Sequence, residues 1–266
     1  MSNEIITIGV ITDTHYANTE TVWLRYYRDS ILKVRKAIKA FNDNMPSFFI
    51  HLGDNVDNGI TPEIELGYLK AIEAEYEKFN GTRHYVIGNH DVASFSKEQF
   101  LEICGRREKY YSFDEGDIHF IILDACYNKD ESDYDKGNFD WIETYIPIFE
   151  QEWLKSDLDS TSKKTIIFVH QRLDDEDGVH GVKNAHGIRQ IIEKSGKVIA
   201  VFQGHDHQGD SRYINSIPYF TFRAVVEGHG LENSAYSLIH VYEDGSISVE
   251  GFGKQKSASL KLATGF

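Results

Sequence analysis

The chain has 266 residues, 41% of them hydrophobic and 26% charged, a balance close to that of an ordinary globular protein. Its formal net charge of −14 argues against a broad basic face for gripping nucleic acid, so no nucleic-acid partner is expected. Two cysteines, Cys104 and Cys126, are too few for a disulfide framework and lack metal-ligand spacing; a buried, reduced pair in a cytoplasmic protein is the expectation.

The N-terminus carries no basic stretch followed by a long apolar one, and no window approaches the unbroken apolar length of a membrane span, so neither a secretory signal nor a membrane partner is expected. The first apolar run, residues 5–11, is rich in β-branched side chains and reads as a buried strand. Residues 21–42 place Leu24, Tyr27, Ile31, Val34, Ile38 and Phe41 at helical spacing. A second strand is predicted over 47–52, a helix with Pro near its start over 62–79, and a short third strand over 84–87. Residues 110–113 and 118–123 read as a hairpin around Glu115-Gly116-Asp117. The stretch 124–147 is acidic and aromatic with weak periodicity, a long surface loop of the kind that is often functional.

A helix over 148–158, a strand over 165–169, a helix over 185–195 and a strand over 198–202 follow. The last third changes to strands alone, at 212–214, 218–223, 235–242 and 246–250, before a Lys- and Ser-rich tail expected to fray. With no repeat and no linker, residues 1–266 read as a single α/β domain, a β-α-β half followed by a β-rich half, with two sheets and helices outside them.

Five groups of candidate ligands each stand directly after an apolar strand. They are Asp13-Thr14-His15, Gly53-Asp54-Asn55-Val56-Asp57, Gly88-Asn89-His90-Asp91, His170 and Gly204-His205-Asp206-His207. Singly, each reads as a turn or a satisfied histidine. Together they fall where open α/β sheets bind ligands, beyond the carboxyl ends of strands. The donors of Asp13, His15, Asp54, Asn89, His170, His205 and His207 are oxygen and nitrogen only, which suits Mn, Fe, Zn, Co or Ni. Seven are too many for one tetrahedral zinc and fit two ions, which at a separation of about 3.5–4 Å clamp an in-line displacement at phosphorus.

This combination of motifs resembles the calcineurin-like metallophosphoesterases over roughly residues 5 to 250. The resemblance implies a four-layer αββα sandwich, two mixed β-sheets flanked by helices, holding two divalent metal ions (Mn, Fe, Zn or Co). It implies that Asp54 bridges them, that Asp13, His15 and His207 complete one shell, and that Asn89, His170 and His205 complete the other. It also implies hydrolysis by direct attack of a metal-bridging hydroxide, with His90 as the catalytic histidine oriented by Asp57. The family often has a Pro shortly after the fourth-motif histidine; here the run is His170-Gln171-Arg172-Leu173, which raises the hypothesis that Arg172 reaches the phosphate.

Within the family, Arg25-Tyr26-Tyr27-Arg28-Asp29-Ser30, and Gly88-Asn89-His90-Asp91 running into Phe95-Ser96-Lys97, resemble manganese-dependent ADP-ribose/CDP-alcohol diphosphatases. That implies a small phosphorylated substrate, a nucleoside-diphosphate derivative such as ADP-ribose. General phosphomonoesters and cyclic nucleotides are the alternatives within the same chemistry. A binding module that kept the fold and lost catalysis would be expected to lack ligands or His90, and a nuclease of the same fold is disfavoured by the acidic charge. Among the remaining histidines, His180, His186 and His229 are second-rank candidates for the border of the site. Tyr127, Tyr134, Phe139 and Trp141 are candidates to stack a nucleobase, with a core or rim role as the plainer expectation.

Overall fold

The structure, a computed structural model, describes residues 2–57 and 59–260. The α/β expectation holds. Two six-stranded mixed sheets pack face to face, and helices cover both outer surfaces.

The first sheet is built on β1 (Glu4–Ile11), β2 (Phe48–His51) and β3 (Thr82–Tyr85), mutually parallel, joined through α1 (Ser30–Asn44) and α2 (Pro62–Tyr76). The second has β5 (Ile118–Ile122), β6 (Lys164–Val169), β7 (Val198–Gln203) and β9 (Ile217–Thr221) in parallel. Antiparallel strands flank each parallel core. In the first sheet these are β10 (Ala235–Tyr242), β11 (Ile247–Gly253) and β12 (Ala258–Leu260); in the second they are β4 (Tyr111–Glu115) and β8 (Asp210–Ile214).

Strand alternation sorts the side chains between layers. Ile6, Ile8 and Val10 of β1 and Phe48 and Ile50 of β2 face Phe120, Phe168 and Phe202 of the other sheet. On the outer face of the first sheet, Phe49 and Ile11 pack under Val34, Ile38 and Phe41 of α1, Leu69 and Ile72 of α2, and Phe100 of α3 (Lys97–Ile103). Gly9 marks a close approach there, since a Cβ at that position would lie 3.0 Å from the Phe41 ring and press it aside. The outer face of the second sheet is covered by Leu154 and Leu158 of α4 (Ile148–Ser160) and Ile188 and Ile192 of α5 (Ala185–Ser195). Among the described residues no helix is long and apolar enough to cross a membrane.

Most predicted elements appear with bounds shifted by one to three residues; the helix over 185–195 and the strand over 235–242 coincide. Three readings need correction. The helix predicted from residue 21 begins at Ser30, because Val22 and Arg25 exchange backbone hydrogen bonds and Trp23 takes φ +57°, which closes a turn instead. Helix α3 was not anticipated, although its capping box, Ser96 with Gln99, is written in the sequence. The tail expected to fray contributes β12, which pairs with β11; residues 261–266 lie outside the described residues.

Candidate metal centre

The parallel order of β1, β2 and β3, and of β6 and β7, puts five strand ends at one edge where the two sheets meet. Backbone hydrogen bonds tie those ends together. Asp13 N donates to Gly53 O (3.0 Å), His15 N to Asp54 O (2.9 Å), Gly204 N to His170 O (3.0 Å) and Val225 N to Thr12 O (3.1 Å). The carboxylate and imidazole groups of the predicted ligands all converge at this edge.

Three sets of side chains offer ligand atoms within 4.8 Å of one another: Asp13 with His15 and His207, Asp54 with His170 and His205, and His15 with Asp54 and His90. Asp54 Oδ2 stands between the first two sets, 3.5 Å from His15 Nε2 and 3.2 Å from His170 Nε2. Nε2 of His15 and His207 approach to 3.1 Å, and Asp13 Oδ1 lies 3.5 Å from His207 Nε2. Asn89 lies between Gly88, packed on Asp54, and His90, whose amide donates to Asp54 Oδ1 (2.9 Å).

The donor atoms fit cations. Buried polar atoms are nearly always paired, yet Asp13 Oδ1, Asn89 Oδ1, His170 Nε2 and His205 Nε2 are buried here without a hydrogen-bond partner. The far sides of Asp13, His170 and His207 are by contrast satisfied. Asp13 Oδ2 accepts from Thr12 Oγ1 (2.6 Å) and from His205 N (3.1 Å), His170 Nδ1 donates to Leu52 O (2.7 Å), and His207 Nδ1 donates to Glu227 Oε1 (2.9 Å). Outer partners of this kind orient ligating imidazoles.

The backbone is shaped for the same end. Asp13, His15, Asp54 and His205 all have positive φ, between +43° and +66°, where side chains other than glycine are uncommon. Gly53, at φ +99°, has no room for a Cβ, which would meet His170 Nδ1 at 2.6 Å. The buried carboxylate of Asp91 fastens the loop, with Oδ2 accepting from Asp54 N (2.8 Å) and Gly88 N (3.0 Å) and Oδ1 from Asn55 N (2.7 Å).

The electrostatics show a site rich in negative charge. Burial opposes the charge on Asp13 and Asp54, but the neighbouring imidazoles hold both below the usual carboxylate range. Burial likewise works against protonating His170 and His207, yet Asp54 and Asp13 push them up to about 9. Protons there occupy ground that divalent cations would take, since metal binding displaces protons from its ligands. His205 is driven the other way by burial and by His170, toward the neutral imidazole that ligation requires.

His90 and Asp57 lie beside this set. His90 Nδ1 is 3.1 Å from Asp57 Oδ1, and the His90 side chain is 27% exposed. Burial opposes protonation of His90, while Asp54 and Asp57 raise its pKa. Asp57 Oδ2 also lies 3.2 Å from His15 Nδ1 and accepts from Arg25 Nη1 (3.1 Å), so one carboxylate contacts a candidate ligand as well as His90.

Arg172 does not reach a phosphate position, nor is it a solvated surface cation. It is buried, donating to Asp174 (3.0 Å), Asp206 (2.6 Å) and Asp210 (2.7 Å), because three carboxylates surround it. Of the second-rank histidines, His180 borders the site, 5.4 Å from the His205 ring, while His186 and His229 bond to Gln190 and Asp29. Of the loop aromatics only Trp141 arrives, 5.5 Å edge-on to His205; Tyr134 and Phe139 stack on each other and Tyr127 lies under Lys97. Arg25, Glu227 and Trp23 were not foreseen. Glu227 and Trp23 lie outside every motif, Arg25 is known beforehand only as part of the Arg25–Ser30 resemblance, and the folded chain alone brings all three to the ligands.

A model of the calcineurin-like phosphoesterase family matches residues 6–209. A manganese-dependent ADP-ribose/CDP-alcohol diphosphatase of Arabidopsis thaliana is 25% identical over an alignment covering 97% of both chains. One of Xenopus laevis is 24% identical, covering 98% of this chain and 91% of its own. Among solved structures, a dimetal phosphatase from Danio rerio superposes with TM-score 0.85 at 20% identity, covering 98% of this chain and 100% of that one.

Proposed function

The chain belongs to the calcineurin-like phosphoesterase family, and from that premise we propose that it hydrolyses the diphosphate bond of a nucleoside-diphosphate derivative such as ADP-ribose. It is a metal-dependent phosphoesterase that uses two divalent cations. The substrate choice rests on the full-length similarity to ADP-ribose/CDP-alcohol diphosphatases. The assignment of residues rests chiefly on one observation: ligand-type side chains from five strand ends of two sheets meet at a common edge, and four of those ends contribute buried donor atoms with no hydrogen-bond partner.

In this reading Asp13, His15 and His207 hold one cation, Asn89, His170 and His205 hold the other, and Asp54 serves both. When bound, the cations supply Lewis-acid charge to the phosphoryl oxygens and lower the pKa of water. His90 gives a proton to the leaving oxygen from Nε2, since Asp57 engages Nδ1 and fixes the tautomer. Glu227 holds His207 in place through Nδ1, and Leu52 O does the same for His170. No covalent enzyme intermediate is required.

We take the chain to act as one domain over residues 1–266. The two free, buried cysteines support a cytoplasmic setting. The test is a screen of Mn, Co, Fe and Zn against ADP-ribose, CDP-choline, a cyclic nucleotide and a phenyl phosphate. Manganese-dependent turnover favouring the first two is expected. A preference for the phenyl ester or the cyclic nucleotide in every metal overturns the diphosphate reading.

A further inference from the structure

One wall of the cleft beside the candidate ligands meets the His90–Asp57 pair only through Arg25 and otherwise has no part in the chemistry described so far. Val22 N donates to Arg25 O (3.3 Å) and Arg25 N to Val22 O (3.0 Å), closing a tight turn with Trp23 and Leu24 at its tip. Trp23 is 93% exposed, the most exposed large apolar side chain among the described residues, and its φ is +57°. Both features are unfavourable for tryptophan: apolar area is left in water, and a bulky side chain occupies the left-handed region. A turn needing only positive φ is ordinarily filled by Gly, Asn or Asp.

The turn is firmly mounted. Tyr26 N donates to Val226 O (3.0 Å) and Gly228 N to Leu24 O (2.9 Å). The buried Lys33 ammonium donates to the carbonyls of Val225 (2.8 Å), Glu227 (3.0 Å) and Gly228 (2.7 Å), holding the segment on which the turn rests. Trp23, Leu24 and Arg25 line the same cleft as His205 and His207, and Arg25 reaches Asp57. Trp141, on the other loop, packs its edge on His205 instead.

We propose that Trp23 is the stacking platform for the planar base of the substrate, holding the end remote from the reacting phosphorus. This rests on the nucleoside-diphosphate reading of the site. An indole presents a wide, rigid π-face, and stacking tolerates any base because each has such a face. Held base-first on Trp23, a nucleoside-diphosphate derivative runs its phosphates past Arg25 toward the ligand cluster.

The test uses the metal-loaded protein with Trp23→Ala and Trp23→Phe. Trp23→Ala raises KM for ADP-ribose about tenfold or more while kcat stays close to wild type. The same variant leaves dimethyl diphosphate, which has no ring, unaffected, and Trp23→Phe recovers most of the loss. A binding readout needs no turnover: AMP quenches tryptophan fluorescence in the wild type and not in Trp23→Phe, which keeps Trp141 and Trp153, and ribose 5-phosphate quenches neither. An equal loss on dimethyl diphosphate, an unchanged KM for ADP-ribose, or quenching retained in Trp23→Phe overturns the proposal. So does a selective loss on a long-chain alkyl phosphate with AMP binding intact. If the wild type turns over no nucleotide derivative, the substrate reading fails on its own, and AMP quenching still decides the role of Trp23.

Discussion

The Asp57 carboxylate meets His90 Nδ1 at 3.1 Å through one oxygen while its other oxygen lies 3.2 Å from His15 Nδ1. A single residue thus orients the proposed proton donor and a proposed ligand together. The two roles separate under mutation. His90→Ala is expected to keep near-normal metal content while turnover falls about 10²–10⁴-fold. Asp57→Asn should lower both turnover and metal affinity. Metal analysis beside steady-state kinetics checks this, and full activity in His90→Ala sinks the assignment.

Asp54→Ala tests the bridging position. Asp54 Oδ2 faces imidazoles of both ligand sets, so its loss should take the bound metal below two per chain. Retention of two ions, measured by mass spectrometry or atomic emission on the dialysed protein, contradicts the assignment.

Asp91 touches no proposed cation, yet its carboxylate accepts the amides of Asp54, Asn55 and Gly88. Asp91→Ala leaves those buried donors unpaired. The expected cost is about 3 kcal/mol or more in urea denaturation, with weaker metal binding because Asp54 is no longer held in its left-handed conformation.

Replacing Arg172 by Met removes the partner of Asp174, Asp206 and Asp210 at once. Breaking such a buried arrangement costs about 3–5 kcal/mol, and Arg172→Lys should fall between, since an ammonium cannot reproduce the planar fork. Thermal unfolding of both variants is the check. Equal Tm for Arg172→Met and wild type would refute it.

His119 supplies a pH signature away from the site. Its ring bonds to Asp157 Oδ2 and Asp114 Oδ1, both at 2.7 Å, and the Asp157 bond, with that to Asp114, raises its pKa against the opposing effect of burial. A folded value above the unfolded one, about 6.5, means the stabilisation is complete below that pH and is lost as pH rises through the folded value. Comparing wild type with His119→Gln should show a difference of about 1–2 kcal/mol at pH 6, shrinking at pH 9. A difference constant with pH would refute the linkage.

What was legible in the sequence followed physical rules that act locally. The β-branched and aromatic runs ending at Ile11, at Val169 and in Phe202 announce buried strands, and the Gly, Asp, Asn and His groups after them announce tight turns bearing ligands. What was not legible depends on long-range pairing. Glu227 finds His207 across 20 residues, and Arg25 finds Asp57 across 32, with no spacing rule to reveal either contact. Trp23 misled because Leu24 and Tyr27 continue a helical spacing that the turn at Val22–Arg25 interrupts. The hypothesis for Arg172 failed for a similar reason: Asp206 and Asp210 reach it from the far side of β7.

The proposed ligands are shared between the sheets four to three: Asp13, His15, Asp54 and Asn89 follow strands of the first, and His170, His205 and His207 follow strands of the second. The catalytic geometry is therefore a measure of how the two sheets are aligned. A substitution in the layer between them, at Phe48, Phe120 or Phe168, touches no ligand but acts as a shim. Because packed interiors transmit displacement rather than absorb it, such a change slides one half of the donor set past the other. Surveys of distant, silent-looking core variants would then find their activity losses concentrated along that seam, while the outer helices tolerate change.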